Sequence, residues 1–333
     1  RCTQNTAFME EWRKGWHPDR ARPKGASESV LIVGAGPTGL EAALQAAKRG
    51  YKVTLAEATT TLGGRVAKER LLPGLSAWGR VADFRTGQMA VMPNVEIYRD
   101  SPLTPEDILA MGADHVAVAT GANWRRDAVA RLHLHPIPTD PAMAIYTPDD
   151  LMAGRCPEDQ TVTLYDDDHF YMGSVLAELL VAKGNRVHFV TPAVKVAEWT
   201  DNTLEQGTIM RRLLEIGVEI HLSKAPEAIG AREITLGCTW TGRETTLATE
   251  AVVHVTSRTP DDALFHAARA LDWQGAGIST LKLIGDAAAP GPIAWATYAG
   301  RAWAEGLDQP DQGDALSFRR EITALDPGLS LLP

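Results

Sequence analysis

The chain has 333 residues, of which 44% are hydrophobic and 23% are charged, proportions that are ordinary for a soluble globular protein of about two domains. Its net charge of −9 and the lack of a basic patch make nucleic acid a poor candidate partner. No apolar run is long enough to cross a membrane, and the polar N-terminus lacks the pattern of a signal peptide. The three widely spaced cysteines cannot form a disulfide framework, which favours a reducing, cytoplasmic setting.

Residues 1–27 form a polar, irregular opening segment. Trp12 and Trp16 are four residues apart, a spacing that suits a short helix lying on an apolar surface. Two features of the segment are unusual, since the chain begins with Arg1 instead of Met and one of its three cysteines is Cys2. A cysteine at such a position is most often without a role, and no C-x-x-C pattern accompanies it.

The chain then changes to a strand–helix–strand pattern. Residues 30–33 are an apolar run rich in β-branched side chains, which predicts a strand buried on both faces of a parallel sheet. Apolar residues at helical spacing follow as far as Gly50, which ends the helix, and residues 51–56 predict a second strand. Together these three elements form a βαβ unit.

A G-x-G-x-x-G motif from Gly34 to Gly39 joins the first strand to the helix, the context in which this motif binds a dinucleotide. Gly34 permits a tight turn, Gly36 lets the backbone approach a pyrophosphate, and Gly39 lets the helix pack close to the strand. The helix N-terminus offers free N–H groups to the phosphates. Glu57 ends the second strand, where a carboxylate accepts hydrogen bonds from ribose hydroxyls and repels a 2′-phosphate.

Two further positions are candidates for the same ligand. Arg65 follows a pair of glycines and is expected to meet the pyrophosphate charge, unless this stretch is only a surface turn. Gly285 and Asp286 follow a predicted buried strand at 281–284. An aspartate at that place in a two-dinucleotide-domain fold reaches ribityl or pyrophosphate groups, and the next helix, predicted at about 293–305, points its N-terminus at the ligand.

A second unit is predicted after a linker. Residues 122–160 are rich in proline and aspartate and predict a crossing segment, after which the strand–helix–strand pattern returns from residue 161. Residues 204–216 predict a helix, and residues 231–256 alternate with a period of two, which predicts an antiparallel meander.

The second unit lacks the glycine loop that would bind NAD(P)H. The chain has Asp166, Asp167 and Asp168 where glycines are expected, and only Gly173 of the motif remains. Three carboxylates repel a doubly charged pyrophosphate, so we expect this unit to keep the shape of a nicotinamide domain without its binding chemistry. A metal site on the three aspartates is an alternative, but an aspartate cluster at a strand end is more often a solvated turn.

The chain resembles the trimethylamine, dimethylamine and histamine dehydrogenases. These proteins are iron–sulfur flavoproteins, related more distantly to 2,4-dienoyl-CoA reductase-like NADH:flavin oxidoreductases, and the resemblance is to their C-terminal, adenine-dinucleotide-binding part. It extends from residue 1 to about residue 308 and includes both the opening stretch and the lost second glycine loop. The stretches that carry it are 2–5, 15–18, 30–39, 62–64, 119–121, 209–213, 255–258 and 283–287.

Together with the two strand–helix–strand units, the resemblance implies an α/β fold. It implies two Rossmann-like domains of the FAD/NAD(P)-binding, glutathione reductase-like type, with the second inserted in the first. The expected divisions are a linker segment over 1–27, an FAD/ADP-binding domain over 28–154 and 263–308, an NAD(P)-like domain with a degenerate loop over 155–262, and a C-terminal tail over 309–333.

The resemblance also implies an adenine-nucleotide site, with ADP expected ahead of FAD and with NAD(P)H not expected. The residues expected to line it are Gly34, Gly36, Pro37, Thr38, Gly39, Glu57, Ala58, Gly64, Arg65, Ala119, Thr120, Gly121, Gly285 and Asp286. No catalytic residue is expected in this part of the chain.

For the whole enzyme the resemblance implies a barrel with covalent FMN and a [4Fe–4S] cluster held by four cysteines, of which Cys2 matches the last. One cysteine cannot hold such a cluster, so we expect a fragment without amine-oxidising activity, whose barrel and other cysteines would precede Arg1. The expected partners are the FMN barrel, an electron-transfer flavoprotein or similar external acceptor, and a second copy of the chain in a homodimer.

Two other functions stay open from the sequence. A free-standing FAD-dependent NAD(P)H oxidoreductase needs the second glycine loop and often a redox cysteine pair. A non-catalytic docking module would use a bound nucleotide only to stabilise its folded state.

Overall fold

The computed structural model describes residues 1–11 and 14–309. Trp12 lies outside these residues, so the predicted opening helix is described only in part, and the residues on either side of it form turns. Trp16 is buried against Tyr298, with their ring centroids 5.3 Å apart. Residues 310–333, almost all of the predicted tail, also lie outside the described ranges.

The elements follow one another in strand–helix order through most of the chain. The strands are β1 (Ser29–Val33), β2 (Lys52–Ala56), β3 (Val95–Tyr98), β4 (His115–Val118), β5 (Ala122–Trp124), β6 (Ala144–Tyr146), β7 (Thr161–Asp166), β8 (Arg186–Val190), β9 (Glu219–His221), β10 (Lys224–Ile229), β11 (Glu233–Cys238), β12 (Glu244–Ala248), β13 (Ala251–Val255), β14 (Arg258–Pro260) and β15 (Thr280–Leu283). The helices are α1 (Pro37–Arg49), α2 (Arg65–Glu69), α3 (Arg80–Met89), α4 (Pro105–Ala110), α5 (Pro148–Met152), α6 (Tyr171–Ala182), α7 (Gln206–Glu215), α8 (Ala263–Ala270) and α9 (Ile293–Gly306). In the ranges described, no helix has the length and apolar character that a membrane crossing requires.

The first sheet is parallel throughout and has the order β15-β4-β1-β2-β3. Its central strand β1 is buried on both faces, as its apolar run predicts. Val30 and Ile32 pack in one core with α1 and α9, whereas Leu31 packs in another core with residues of α4 and α8. Because the strands run in the same direction, the loops after β1, β2, β4 and β15 meet at one edge of the sheet, where ligands bind in folds of this class.

The second sheet is also parallel and has the order β6-β13-β7-β8-β9. Helices α6 and α7 cover one face, where Leu176 and Leu213 are fully buried. A three-stranded antiparallel sheet of β10, β11 and β12 covers the other face, where Leu236 packs with Val252. Strands β5 and β14 pair with each other where the chain crosses between the two parallel sheets. The prediction of an α/β fold with parallel sheets is confirmed.

Three predicted segments differ from the structure. The antiparallel meander ends at β12, and β13 joins the second parallel sheet because its side chains are buried on both faces. The predicted linker over 122–160 contains β6, which pairs with β13 and extends the second unit back to Ala144, ahead of the predicted boundary at 155. The predicted helix over 204–216 is shorter, because Leu204 has a left-handed backbone with φ +62° and α7 begins only at Gln206.

The opening segment is hydrogen-bonded to a buried ion pair that joins α3 to α1. Arg85 donates from Nε to Glu41 Oε2 at 2.6 Å, and the two side chains are 0% and 2% exposed. Arg85 also donates to the carbonyl oxygen of Thr3 at 3.1 Å, and the Thr6 hydroxyl donates to Glu41 Oε1 at 2.6 Å. The segment that carries Cys2 is therefore held against the helix that begins at the glycine loop.

We expect Arg85→Met to lower the free energy of unfolding by about 3–5 kcal/mol, because it leaves the Glu41 carboxylate buried without a counter-charge. Urea unfolding measures this change. Arg70→Met is the matched control, since Arg70 pairs with Asp83 at the surface, where an ion pair contributes little. Equal effects of the two substitutions would show that the Glu41 pair does not hold the segment in place.

Candidate functional site

The glycine loop between β1 and α1 is shaped by backbone contacts. Gly34 has φ +101°, and a methyl group added to it would lie 2.5 Å from the carbonyl oxygen of Ala119. A methyl group at Gly39 would lie 1.8 Å from the carbonyl oxygen of Gly34. Neither distance is possible for a real side chain, so these two glycines are required by the packing of the loop itself.

Gly36 differs from the other two glycines of the motif. Its backbone is extended, with φ −73° and ψ −175°, and a methyl group added to it would have no neighbour nearer than 4.0 Å. The helix that begins at Pro37 has no acidic residue in its first turn and no side-chain cap. The position that a side chain at Gly36 would take is therefore free of close neighbours, and Gly36 is the N-cap of a helix without a side-chain cap, a setting that suits an anion.

Glu57 lies beneath this loop and holds it in place. Its Oε2 accepts a hydrogen bond from the N–H of Ala35 at 2.8 Å, and its Oε1 accepts from the N–H and the hydroxyl of Thr59 at 2.9 and 2.8 Å. The side chain is 8% exposed, and the neighbouring Ala58 is exposed. Glu57 thus has a structural task in addition to the ribose contact that its position predicts, and that contact stays a prediction.

A second turn packs against the loop beside Gly36. Gly64 has φ +52°, and a methyl group added there would lie 2.8 Å from Cα of Gly36. The N–H of Gly63 donates to the carbonyl oxygen of Ala35 at 2.8 Å. The predicted pair of glycines therefore allows two backbone segments to lie close together. Arg65 follows the pair directly, at the start of α2.

Two arginines converge on Asp286. Arg65 Nη1 lies 3.0 Å and Arg258 Nη1 lies 2.8 Å from Asp286 Oδ2, and both guanidinium groups also donate to the carbonyl oxygen of Gly291. Asp286 Oδ1 accepts from the N–H of Gly291 at 3.0 Å. Burial raises the pKa of Asp286, and the charge of Arg65 opposes that shift. The arginine predicted to meet a pyrophosphate is thus paired with the predicted aspartate.

Sequence reasoning gave no role to Arg258. The only signal was its place in one of the stretches that carry the family resemblance, 255–258. Arg258 follows β13, at the point where the chain returns from the second sheet. The cluster of Arg65, Arg258 and Asp286 therefore joins residues from both parts of the fold.

The remaining predicted residues complete the same edge. Ala119 follows β4, and its N–H donates to the carbonyl oxygen of Val33 at 2.8 Å. The Thr120 hydroxyl donates to the carbonyl oxygen of Asp261, and Gly121 has φ +90°. A methyl group at Gly285 would lie 2.0 Å from Thr38 Oγ1. The loops after β1, β4 and β15 are therefore in direct contact at the carboxyl edge of the first sheet.

At the corresponding loop of the second sheet, the space for a ligand is occupied by other residues of the chain. Asp166 and Asp167 are 0% and 1% exposed, so the prediction of a solvated turn is wrong, because the crossing segment covers them. The N–H of Leu132 donates to Asp167 Oδ2 at 2.9 Å, and Arg131 donates to the carbonyl oxygen of Asp168 at 3.2 Å. A side chain at Gly173 would lie 2.8 Å from Cγ of Asp166.

Burial changes the ionisation of these residues. It raises the pKa of Asp166 to about 7 and that of Asp168 to about 6, the latter opposed by the charge of Arg131. Burial lowers the pKa of His169, but its hydrogen bond to Asp167 and the nearby carboxylates outweigh this and raise the pKa above its ordinary value. Asp166 Oδ2 is buried and has no hydrogen-bond partner among the described residues. The loop therefore buries carboxylic acids at a cost in folding free energy, and it lacks the glycine-rich turn that binds a phosphate.

Cys2 lies in the opening segment, half-buried, and its Sγ accepts a hydrogen bond from the N–H of Asn5 at 3.4 Å. Cys156 and Cys238 are also free thiols. Within the described residues, none of the three belongs to a group of three or more potential metal ligands. A cubane cluster needs four thiolates, so the described residues do not fit such a cluster by themselves.

Comparison with known proteins finds matches to both parts of the chain. Residues 29–144 match the family described as FAD dependent oxidoreductase, and residues 146–245 match the OYE-like second alpha/beta domain. The dimethylamine dehydrogenase of Hyphomicrobium sp. (strain x) is 31% identical over 350 residues, which cover 97% of this chain and 47% of that protein.

Two solved structures are also similar. The histamine dehydrogenase from Rhizobium sp. 4-9 is 57% identical with a TM-score of 0.95, covering 98% of this chain and 51% of that one. The 6-hydroxypseudooxynicotine amine oxidase from Pseudomonas geniculata N1 is 43% identical with a TM-score of 0.88, covering 93% and 46%. The chain spans about half the length of these relatives. It is homologous to flavoprotein amine dehydrogenases, which are oxidoreductases, so the predicted resemblance is confirmed at this level.

We expect Asp166→Asn to stabilise the fold above about pH 7 and to have little effect near pH 4. Burial raises the pKa of Asp166 from 3.8 to about 7, so between those values the folded state holds a proton that the unfolded chain has released. Wild-type stability therefore falls as pH rises through this window, by on the order of 4 kcal/mol for this group, and asparagine removes the loss.

Urea unfolding between pH 4 and pH 8 measures this difference. Asp261→Asn is the control, because Asp261 is exposed and its replacement should leave the pH profile unchanged. Parallel profiles for wild type and Asp166→Asn would contradict the assignment of a buried, protonated Asp166.

Proposed function

We propose that this chain binds an adenine nucleotide, ADP in preference to FAD, at the carboxyl edge of its first sheet. In the whole protein it would be the nucleotide-binding part of a dehydrogenase that acts on amines or N-methyl compounds in a reducing, cytoplasmic setting. The observation that carries the proposal is the open space above Gly36, at the N-terminus of α1.

Packing within the protein requires glycine at three of the four positions in and beside the loop, but not at Gly36. Gly34, Gly39 and Gly64 are each required by a backbone atom within 2.8 Å of the position that a side chain would take. Gly36 meets no such restriction, and its φ of −73° suits any residue. A glycine is needed there if something outside the protein approaches the backbone, as a pyrophosphate does in the G-x-G-x-x-G motif.

The choice of ADP over FAD rests on Asp286. In a flavin site this carboxylate would accept hydrogen bonds from the ribityl chain, but here it already accepts hydrogen bonds from Arg65, Arg258 and the N–H of Gly291. About one of its four acceptor positions is left. Glu57 likewise has about one acceptor position left after its bonds to Ala35 and Thr59; ADP would use that position alone, whereas FAD would also need the one left on Asp286.

NAD(P)H is not the proposed electron donor. The loop after β7 offers buried carboxylates in place of glycines, and Leu132 and Arg131 of the crossing segment lie on it. A pyrophosphate there would have to displace both residues and face Asp166–Asp168. We therefore favour electron flow from an amine, through the FMN-containing barrel expected in the whole protein, to an external carrier such as an electron-transfer flavoprotein.

The role of Cys2 belongs to the same proposal. As the last of four thiolate ligands of a [4Fe–4S] cluster, it would depend on three cysteines outside the described residues. Arg85 and Glu41 would then hold this ligand at a fixed position relative to α1. The amine substrate would bind to the barrel, so this chain does not select it, and a homodimer is the proposed assembly.

We expect Gly36→Ala to weaken ADP binding by at least about tenfold, that is about 1.4 kcal/mol, while the fold without nucleotide loses no more than about 1 kcal/mol because alanine is a poorer N-cap residue than glycine. The added methyl group has room within the protein but occupies the path of the pyrophosphate. Isothermal titration calorimetry with ADP measures the affinity. Gly87→Ala is the matched control, because Gly87 also has open space around it but lies on α3, away from the loop.

Unchanged ADP affinity in Gly36→Ala would contradict the proposed site. The same titrations with FAD and NADH separate the alternatives. Tighter binding of FAD than of ADP would reverse the choice of nucleotide, and NADH binding that survives Gly36→Ala would restore a nicotinamide site in the second unit.

A further inference from the structure

A separate group of ionisable side chains lies on β8 and β9, at the edge of the second sheet. His188 is on β8, and Glu219 and His221 are on β9. The parallel register pairs His188 with Glu219 and Val190 with His221, and residues two apart on a strand share a face. All three side chains therefore meet on one face, opposite the helix-covered face where Phe189 packs.

The atoms of this group are spaced as the ligands of one ion. His188 Nδ1 lies 3.3 Å from His221 Nε2 and 3.5 Å from Glu219 Oε2, and His221 Nε2 lies 3.5 Å from Glu219 Oε1. A tetrahedral Zn²⁺ with bonds of about 2.0–2.2 Å separates its ligand atoms by roughly 3.3–3.6 Å. A hydrogen bond between the two rings would favour a shorter separation, about 3.0 Å.

We propose that His188, Glu219 and His221 bind one divalent transition-metal ion of the Zn²⁺ class. Two imidazoles and one carboxylate suit Zn²⁺, Ni²⁺ or Cu²⁺, whereas Mg²⁺ and Ca²⁺ are bound mainly by oxygen atoms. Over residues 1–11 and 14–309, this is the one group of three or more His, Cys, Asp and Glu side chains whose ligand atoms all lie within 4.8 Å of one another. A fourth position stays available to water or to an external ligand.

The surroundings of the site allow an ion to enter from solvent. The side chain of Glu219 is 46% exposed, and those of His188 and His221 are 7% and 16% exposed, so the imidazoles are fixed by their surroundings while the carboxylate faces water. Arg186 donates to Glu219 Oε2 at 3.1 Å and orients it. Because β9 is the edge strand, the ion would tie the last strand of the sheet to β8. The site would therefore act on stability, independently of the nucleotide.

The test uses the purified chain after treatment with a chelator. We expect wild type to bind one Zn²⁺ in isothermal titration calorimetry and to melt at a higher temperature with Zn²⁺ present. His221→Ala should weaken the affinity at least roughly tenfold, since even the residues that support metal ligands contribute that much. His266→Ala is the matched control, because His266 is exposed on α8 and faces a single carboxylate, that of Asp262, at 3.3 Å.

Co²⁺ in place of Zn²⁺ gives a second measurement. Nitrogen and oxygen ligands give ligand-field absorption without sulfur-to-metal charge transfer, and Glu219→Gln, at an exposed position, should alter that spectrum without unfolding the chain. Equal Zn²⁺ affinity in wild type and His221→Ala would overturn the proposal. So would sulfur-to-metal charge transfer, which would assign the ion to a cysteine, or a Co²⁺ spectrum that Glu219→Gln leaves unchanged.

Discussion

The structure depends on close contact between backbones at the carboxyl edge of the first sheet. Three turns meet there, after β1, before α2 and after β15, and each approaches another so closely that a methyl group would collide with a neighbouring residue. Gly34, Gly64 and Gly285 also adopt positive φ, which other residues reach only at a cost. The glycines thus bring the start of α1, Arg65 and Asp286 to one place. Glu57 holds the loop through its hydrogen bond to Ala35, and a methyl group at Gly36 would have no neighbour nearer than 4.0 Å.

The two parallel sheets give two equivalent edges, and the chain uses them in opposite ways. At the first edge the helix N-terminus is uncapped and the space above the loop is open. At the second edge the crossing segment folds back, and Leu132 and Arg131 satisfy the groups that a nucleotide would otherwise contact. Burial raises the pKa values of Asp166 and Asp168 to about 7 and 6, which shows that it disfavours their charged forms. A site that binds a doubly charged anion would not place carboxylates at this position.

The sequence was sufficient for features that depend on local pattern. The apolar run of β1, the glycine motif and the acid at position 57 lie close together in the chain, so their spacing alone predicted the first βαβ unit. The strands β6 and β14 have only three residues each and too little periodicity to be recognised. The contact of buried Asp167 with Leu132 depends on the crossing segment, and the pairing of Arg258 with Asp286 depends on a return from the second sheet. Contacts of this kind arise from the tertiary fold, which local patterns do not contain.

The ion cluster at Asp286 explains how the two parts of the fold are joined at the candidate site. Arg65 comes from the start of α2, and Arg258 comes from β14, which carries the chain back from the second sheet. Both donate to the same carboxylate oxygen and to the same carbonyl of Gly291. The side chain of Asp286 is only 9% exposed. Loss of either arginine would therefore leave this buried carboxylate with one positive charge beside it in place of two. Asp286 therefore acts as a structural link between the two parts of the fold, because it binds one arginine from each of them.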